Sequence, residues 1–267
     1  AQRRVALGLG GDTVLVSTFG VTSATALLNG IDPTRVERNV TGKIARLVRD
    51  ALLEKSELNF WELTSLPGEG LFIINSPKTS NERHIQFVLN LNRVSEDEGG
   101  GWSLWRDVPA TTFATHNKKV YFGTIDGKVC VMQGGLDNVA IDGTGGVPVN
   151  FSGMCRYTHL DAPGIYKQVQ WVRAAFISQN LLKSAAFIAY EYDLFEKNRL
   201  PVKTSAGGSL WDTAKWDKAL WSGTFSADSL TGTGGYGREF AVYFQGETNS
   251  RATLVSIEGT YTPWKFL

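Results

Sequence analysis

Asn117-Lys118-Lys119-Val120-Tyr121-Phe122-Gly123-Thr124-Ile125-Asp126-Gly127-Lys128-Val129 decides the fold class of this chain. A polar turn leads into a short run of β-branched and aromatic residues, and Asp126-Gly127 then closes a hairpin before a return strand begins at Val129. Much the same order occurs earlier, in Gly11-Asp12-Thr13-Val14-Leu15-Val16-Ser17-Thr18-Phe19-Gly20-Val21. Two hairpins of one pattern in one chain suggest a repeated β module.

Between the copies lie four more short apolar segments: Phe60-Trp61-Glu62-Leu63, Leu71 to Asn75, Phe87 to Leu91 and Trp102-Ser103-Leu104-Trp105. Four strands within roughly 45 residues is the size of one β-propeller blade. One stretch has a different period. Val36, Val40, Ile44, Leu47, Val48, Ala51 and Leu52 recur at three-and-four spacing, which predicts an amphipathic helix over about 36–54. Arg38, Lys43, Arg46 and Arg49 fall mostly on its other side, as a solvated face or as one that could touch nucleic acid.

Near residue 134 the composition shifts. Gly134-Gly135 and Asp142-Gly143-Thr144-Gly145-Gly146-Val147-Pro148 predict a flexible junction. Longer candidate strands follow at Val149 to Thr158, Tyr166 to Ser178, Ser184 to Asp193, Glu239 to Gln245 and Thr253 to Tyr261. The expected fold is all-β. Residues 1–135 form partial propeller-like blades with one amphipathic helix, and residues 147–267 form an antiparallel sandwich or barrel.

The 267 residues carry 27 basic and 26 acidic side chains, a formal net charge of +1, without the basic excess of a dedicated nucleic-acid binder. Two cysteines, Cys130 and Cys155, exclude a disulfide framework and a cysteine-rich zinc site. Arg3-Arg4, the apolar Val5 to Leu9 and Ala24-Thr25-Ala26 mimic a secretory leader, but Gly10-Gly11 and Asp12 interrupt it and a strand reading fits better. No run of about 18 apolar residues marks a membrane-spanning helix.

Gly232-Thr233-Gly234-Gly235-Tyr236-Gly237 has the glycine spacing of a dinucleotide-binding turn. The following Arg238 to Phe244 alternates like a strand where that motif needs a helix N-terminus, so no cofactor is expected. His84, His116 and His159 lie in unrelated segments. Glu191 and Asp193, with Glu196 beyond, alternate along an expected strand. Residues two apart on one face are roughly 6.6 Å apart, a spacing glycoside hydrolysis can use. Trp211-Asp212 and Trp216-Asp217, followed by Trp221, are the most distinctive repeat. Trp211, Trp216 and Trp221 could pin a loop to a sheet, anchor a subunit contact or stack on a sugar.

Trp102-Ser103-Leu104-Trp105-Arg106-Asp107-Val108-Pro109-Ala110-Thr111-Thr112-Phe113-Ala114, running into Lys119 to Val129, resembles the tail nozzle proteins of short-tailed bacteriophages, also called tail-stabilisation or tubular tail proteins. Val14 to Ser23, Gly164 to Arg173 and the Trp-Asp repeat at 211 to 221 are similar to other parts of that family. The resemblance implies a structural virion protein without catalytic residues or cofactors. It implies a homo-oligomeric ring, usually of six copies, below the tail adaptor that joins the portal, with other tail proteins as neighbours and genomic DNA passing through the channel. The competing expectation is a carbohydrate-binding or glycan-cleaving propeller using Glu191, Asp193 and the tryptophans. At about 40–45 residues per blade, the first 135 or so residues hold about three blades, whereas closed propellers have roughly four to eight. Strands supplied from outside this sequence, by a longer polypeptide or by other chains, are therefore expected.

Overall fold

The computed structural model describes residues 5–32, 34–35, 39–58, 60–78, 82–93, 101–178, 182–193, 203–204, 225–232 and 234–264. Strands make up 55% of it and helices 10%, so the chain is all-β. It divides into two compact units, Ala1–Gln133 and Gly134–Leu267.

Among the described residues the first unit holds three antiparallel meanders. β1 (Ala6–Leu9), β2 (Asp12–Ser17) and β3 (Gly20–Ser23) form a sheet in that order. β4 (Glu62–Leu66), β5 (Leu71–Ser76), β6 (Ile85–Asn90) and β7 (Gly101–Arg106) form a four-stranded sheet, again in chain order. β8 (Thr112–His116), β9 (Lys119–Gly123) and β10 (Val129–Met132) form the third. The two similar hairpins therefore hold the middle strands of the first and third sheets. Asn117 and Lys118, with φ of 48° and 63°, make the two-residue loop joining β8 to β9. Positive φ at both central positions is what the right-handed twist of a hairpin favours.

Val14 and Val21 of the first sheet share a core with Leu63, Phe72, Ile74, Phe87 and Leu89 of the second. A short helix α1 (Ala24–Leu28) follows β3. Ser23 caps it by accepting the Ala26 N–H, and the sequence signal there is too brief for helical periodicity to show. The amphipathic helix α2 runs over Ala45–Glu54 and inserts Val48 and Leu52 into the same core.

That helix is shorter than its apolar spacing suggested. Val40 donates its N–H to the Val21 carbonyl at 3.0 Å, and Thr41 Oγ1 accepts the Val21 N–H at 3.2 Å. Asn39 Oδ1 accepts from Thr22 Oγ1. These residues satisfy the outer side of β3, so helical geometry begins only after a 3-10 turn at Gly42–Ile44. Residues 36–38 lie outside the described residues.

The second unit has eight strands among the described residues: β11 (Leu136–Val139), β12 (Gly145–Met154), β13 (Tyr166–Ser178), β14 (Leu182–Tyr190), β15 (Lys203–Thr204), β16 (Phe225–Gly232), β17 (Phe240–Thr248) and β18 (Ala252–Trp264). They form a five-stranded sheet, β11-β12-β17-β14-β15, and a three-stranded sheet, β16-β13-β18. Val169, Val172, Ala174 and Phe176 of β13 share one core with Leu182, Ala186 and Ile188 of β14 and Phe240 and Val242 of β17. The Phe176 ring meets Phe151 and Phe244 edge-on, at 5.5 and 5.8 Å between centroids, so the two sheets pack through their aromatic faces.

The glycine-rich stretch after residue 134 is a hairpin belonging to this unit rather than a flexible junction. The Ala140 N–H reaches the Thr144 carbonyl at 3.0 Å, while Asp142 accepts from the Thr144 N–H and hydroxyl at 2.9 and 2.6 Å. Gly143, Gly145 and Gly146 all have positive φ, so the glycines shape a tight turn and the start of β12. Consequently β12 starts earlier than expected and ends at Met154. Beyond it Thr158 keeps a single bridge to Phe240.

Candidate functional site

The repeat Trp211, Trp216 and Trp221 falls outside the described residues. Glu191 and Asp193 do not lie on a strand. β14 stops at Tyr190, and the Asp193 N–H returns to the Tyr190 carbonyl at 3.0 Å. Glu191 and Tyr192, at φ 50° and 61°, form the centre of that turn with the dihedral signature of type I′. The alternation that would place both carboxylates on one face is therefore lost. Glu191 instead accepts the Arg238 N–H at 2.5 Å.

This turn is part of a tyrosine-rich end of the second unit. Tyr192 donates its hydroxyl to the Glu239 carboxylate and packs on Tyr157, 4.4 Å between ring centroids. The acceptor carboxylate of Glu239 holds the Tyr192 hydroxyl above its ordinary pKa, and the charge of Glu191 adds to the effect. Tyr157 donates to the Asp193 carbonyl at 3.3 Å, and its pKa is also raised, by desolvation and then by Asp193. On the neighbouring loop the Arg238 guanidinium sits 4.8 Å above the Tyr166 ring, whose edge meets Tyr236 at 5.8 Å. Tyr192 and Tyr236 remain 61% and 58% exposed, so the cluster is a surface.

A buried ammonium supports it from beneath. Lys167 has no exposed surface, and its Nζ donates to the carbonyls of Ala162, Ile165 and Arg238 at 2.7, 3.0 and 3.3 Å. Its backbone also exchanges two hydrogen bonds with Gly237. One side chain thus ties the loop before β13, which leads into Tyr166, to the loop before β17, which carries Tyr236 and Arg238. Sequence reading missed Lys167 because a lysine on an exposed-looking strand carries no signal of burial.

The remaining candidates stay apart. His84 precedes β6, with its pKa lowered by burial and then by Lys78; His116 ends β8; His159 belongs to the other unit. Cys130 and Cys155 are free thiols in different units, and burial pushes the Cys155 thiol up. No group of three or more His, Cys, Asp or Glu residues is arranged to hold a metal among the described residues. Gly232 ends β16 and β17 follows at Phe240, so a strand stands where a dinucleotide turn requires a helix. A depression of about 80 Å³ is lined by Pro148, Lys183, Glu247, Thr248 and Asn249. Among the described residues, no helix is long and apolar enough to cross a membrane.

A tyrosine-rich surface with interleaved Arg, Glu and Asp is suited chemically to packing against another polypeptide, where rigid amphipathic rings contribute contact area at low entropic cost. No protein-family model matches the chain, and no curated protein sequence matches it.

Proposed function

We propose that this chain is a tail nozzle subunit of a short-tailed bacteriophage: a structural virion protein forming a homo-oligomeric ring that extends the DNA-ejection channel below the portal and adaptor. The observation that carries this reading is the β4–β7 meander, whose last strand opens the Trp102 to Val129 stretch that bears the family likeness. Three successive antiparallel meanders in the first unit suit the blade-like part of such a protein, and the two packed sheets of the second suit a ring-building part. A formal net charge of +1 suits a conduit, since each phosphate contact would add counterion-release affinity and slow the passage of DNA. Its partners on this reading are other copies of itself, six in the family's usual ring, then the tail adaptor and other tail proteins.

The test is electron microscopy of the purified protein together with mass spectrometry of purified virions. A ring with a central hole, from a protein present in the tail, is the expected result. A particle that stays monomeric at high concentration and is absent from virions overturns the proposal.

A further inference from the structure

Two surfaces of this chain lack a covering layer among the described residues. The first is a sheet face. The β4–β7 sheet is packed on both faces: Phe72, Ile74, Phe87 and Leu89 share the core of the first sheet, while Glu62 and Asn75 on the other face reach the Phe113 N–H and the Ala110 carbonyl. The β8–β9–β10 sheet is packed on one. Phe113 and Val120 are buried there, with Phe122 and Met132 against them. On its opposite face Ala114, Tyr121 and Val131 stand in register across the three strands, with the His116–Lys119 pair toward one end and Val129 toward the other. Ala114, His116 and Lys119 are exposed; Val129 is 79% exposed, and Ile125, in the turn before β10, 83%.

The second surface is a ribbon. Gly145, Val147 and Pro148 of β12 pair with β11, and pairing with β17 begins only at Val149, opposite Thr248, where β17 ends. β11 and the start of β12 therefore overhang the five-stranded sheet as two strands, a form that is marginally stable in water with nothing to pack on. Residues 137–145 are all exposed. Val139 and Val147 are about half exposed and Ile141 fully so, presented by a tip whose shape is fixed by the bonds from Thr144 to Asp142.

We propose that the β11–β12 ribbon of one copy of the chain packs on the open β8–β9–β10 face of a second copy. Both surfaces offer aliphatic side chains that water otherwise covers. Their charges are opposite. Residues 133–148 carry Asp137 and Asp142 and no Lys or Arg, whereas residues 112–132 carry Lys118, Lys119 and Lys128 against Asp126 alone. Asp137 and Asp142 mark the base and tip of the ribbon, five positions apart, and Lys119 lies five positions from Thr124, whose main chain and hydroxyl bond to Lys128. Five strand residues span roughly 16 Å, so carboxylates and ammonium groups bracket lengths that match. Such rim pairing speeds encounter and sets register.

A second copy is the occupant because it supplies the complement to each surface. A foreign partner on the sheet face would leave the ribbon bare, whereas one contact between copies covers both. The contact joins two different patches, so each copy keeps a free ribbon or a free face for the next, as ring closure requires. This inference rests on the ring reading above and names the surfaces that join its copies.

The test uses chains with one cysteine each, in a Cys130→Ser/Cys155→Ser background: Val129→Cys on the sheet and Ile141→Cys on the ribbon, both exposed positions. A short bismaleimide should give a covalent dimer from the two chains co-expressed and none from either alone. Lys119→Glu and Lys128→Glu added to the Val129→Cys chain should lower the dimer yield about tenfold, and Asp137→Lys added to the Ile141→Cys chain should recover much of it. Far-UV circular dichroism and melting establish that each variant folds. Dimers from Ile141→Cys alone would report ribbon against ribbon and overturn the contact, as would co-expressed chains without cross-links or with a yield indifferent to charge reversal. A chain carrying both cysteines that cross-links within itself as a monomer places the ribbon on its own sheet and overturns the contact too. Electron microscopy of the wild-type chain separates the two readings. Rings without the cross-link leave the ring standing, and cross-links without rings, from a protein absent from virions, overturn the ring reading alone.

Discussion

The Glu62 carboxylate, on β4, accepts the main-chain N–H of Phe113, on β8, at 3.0 Å, joining two sheets of the first unit across 51 residues of sequence. Glu62 is 1% exposed, and its second oxygen accepts from Thr112 Oγ1 at 3.4 Å. Removing it leaves a buried N–H without that acceptor, so Glu62→Ala should cost about 2–3 kcal/mol and Glu62→Gln distinctly less. Urea unfolding of the three proteins checks this. Equal midpoints for wild type and Glu62→Ala would show that the tie contributes nothing.

Lys55, just past α2, is 4% exposed and lies 2.9 Å from Glu82 Oε2, while also donating to the Pro77 carbonyl at 3.0 Å. Glu82 is partly hydrated, so the two partners are not equivalent. Glu82→Ala leaves a buried ammonium with the Pro77 carbonyl and the Ser76 hydroxyl but no carboxylate and should cost roughly 2 kcal/mol, whereas Lys55→Met buries an apolar chain of similar length and should cost less. Thermal melts should rank wild type above Lys55→Met and Lys55→Met above Glu82→Ala.

Asp12 gives the first unit an acid-sensitive tie. Hydrogen bonds from the Ser23 and Thr25 hydroxyls hold its carboxyl at about 2, below the ordinary carboxylate range. Because the folded pKa is the lower one, its stabilising contribution is complete above the unfolded value of about 4 and disappears as pH falls to about 2. Asp12→Asn should flatten the decline of the melting temperature across that window and leave the slope above about pH 5 unchanged.

Lys167 should be the most sensitive position at the tyrosine-rich end. Lys167→Met removes the donor shared by three carbonyls and should cost about 2–4 kcal/mol, since the orphaned groups are partly buried. Hydrogen exchange should show faster exchange at residues 159–166 and 234–239, with the β4–β7 sheet of the other unit unaffected. Uniform protection across both loops in the variant would contradict that role.

Much of the fold is local and therefore legible. Asn117-Lys118 and Asp126-Gly127 state their turns through side chains and φ preferences that need no distant partner. β13 runs over Tyr166–Ser178, the limits its β-branched and aromatic run suggests. Other features depend on groups far away in the sequence. Residues 39–41 keep helical spacing yet serve β3, because Val21 and Thr22 offer hydrogen-bond partners that a helix would forgo. Gly134 to Pro148 has a linker's composition but pairs into a sheet, because Val149 to Met154 finds β17 beside it.

The sequence by itself determined that the chain is all-β, that its hairpins recur, and which segments alternate, since turn chemistry and period-two patterning act over a few residues. The tertiary structure alone decided that Glu191 and Asp193 leave the strand, that Lys167 is buried beneath a tyrosine surface, and that β18 pairs on one side only among the described residues. The physical reason is range: a buried ammonium, a capped carboxylate and a strand paired on one side are each defined by neighbours that only the folded backbone brings within hydrogen-bonding distance.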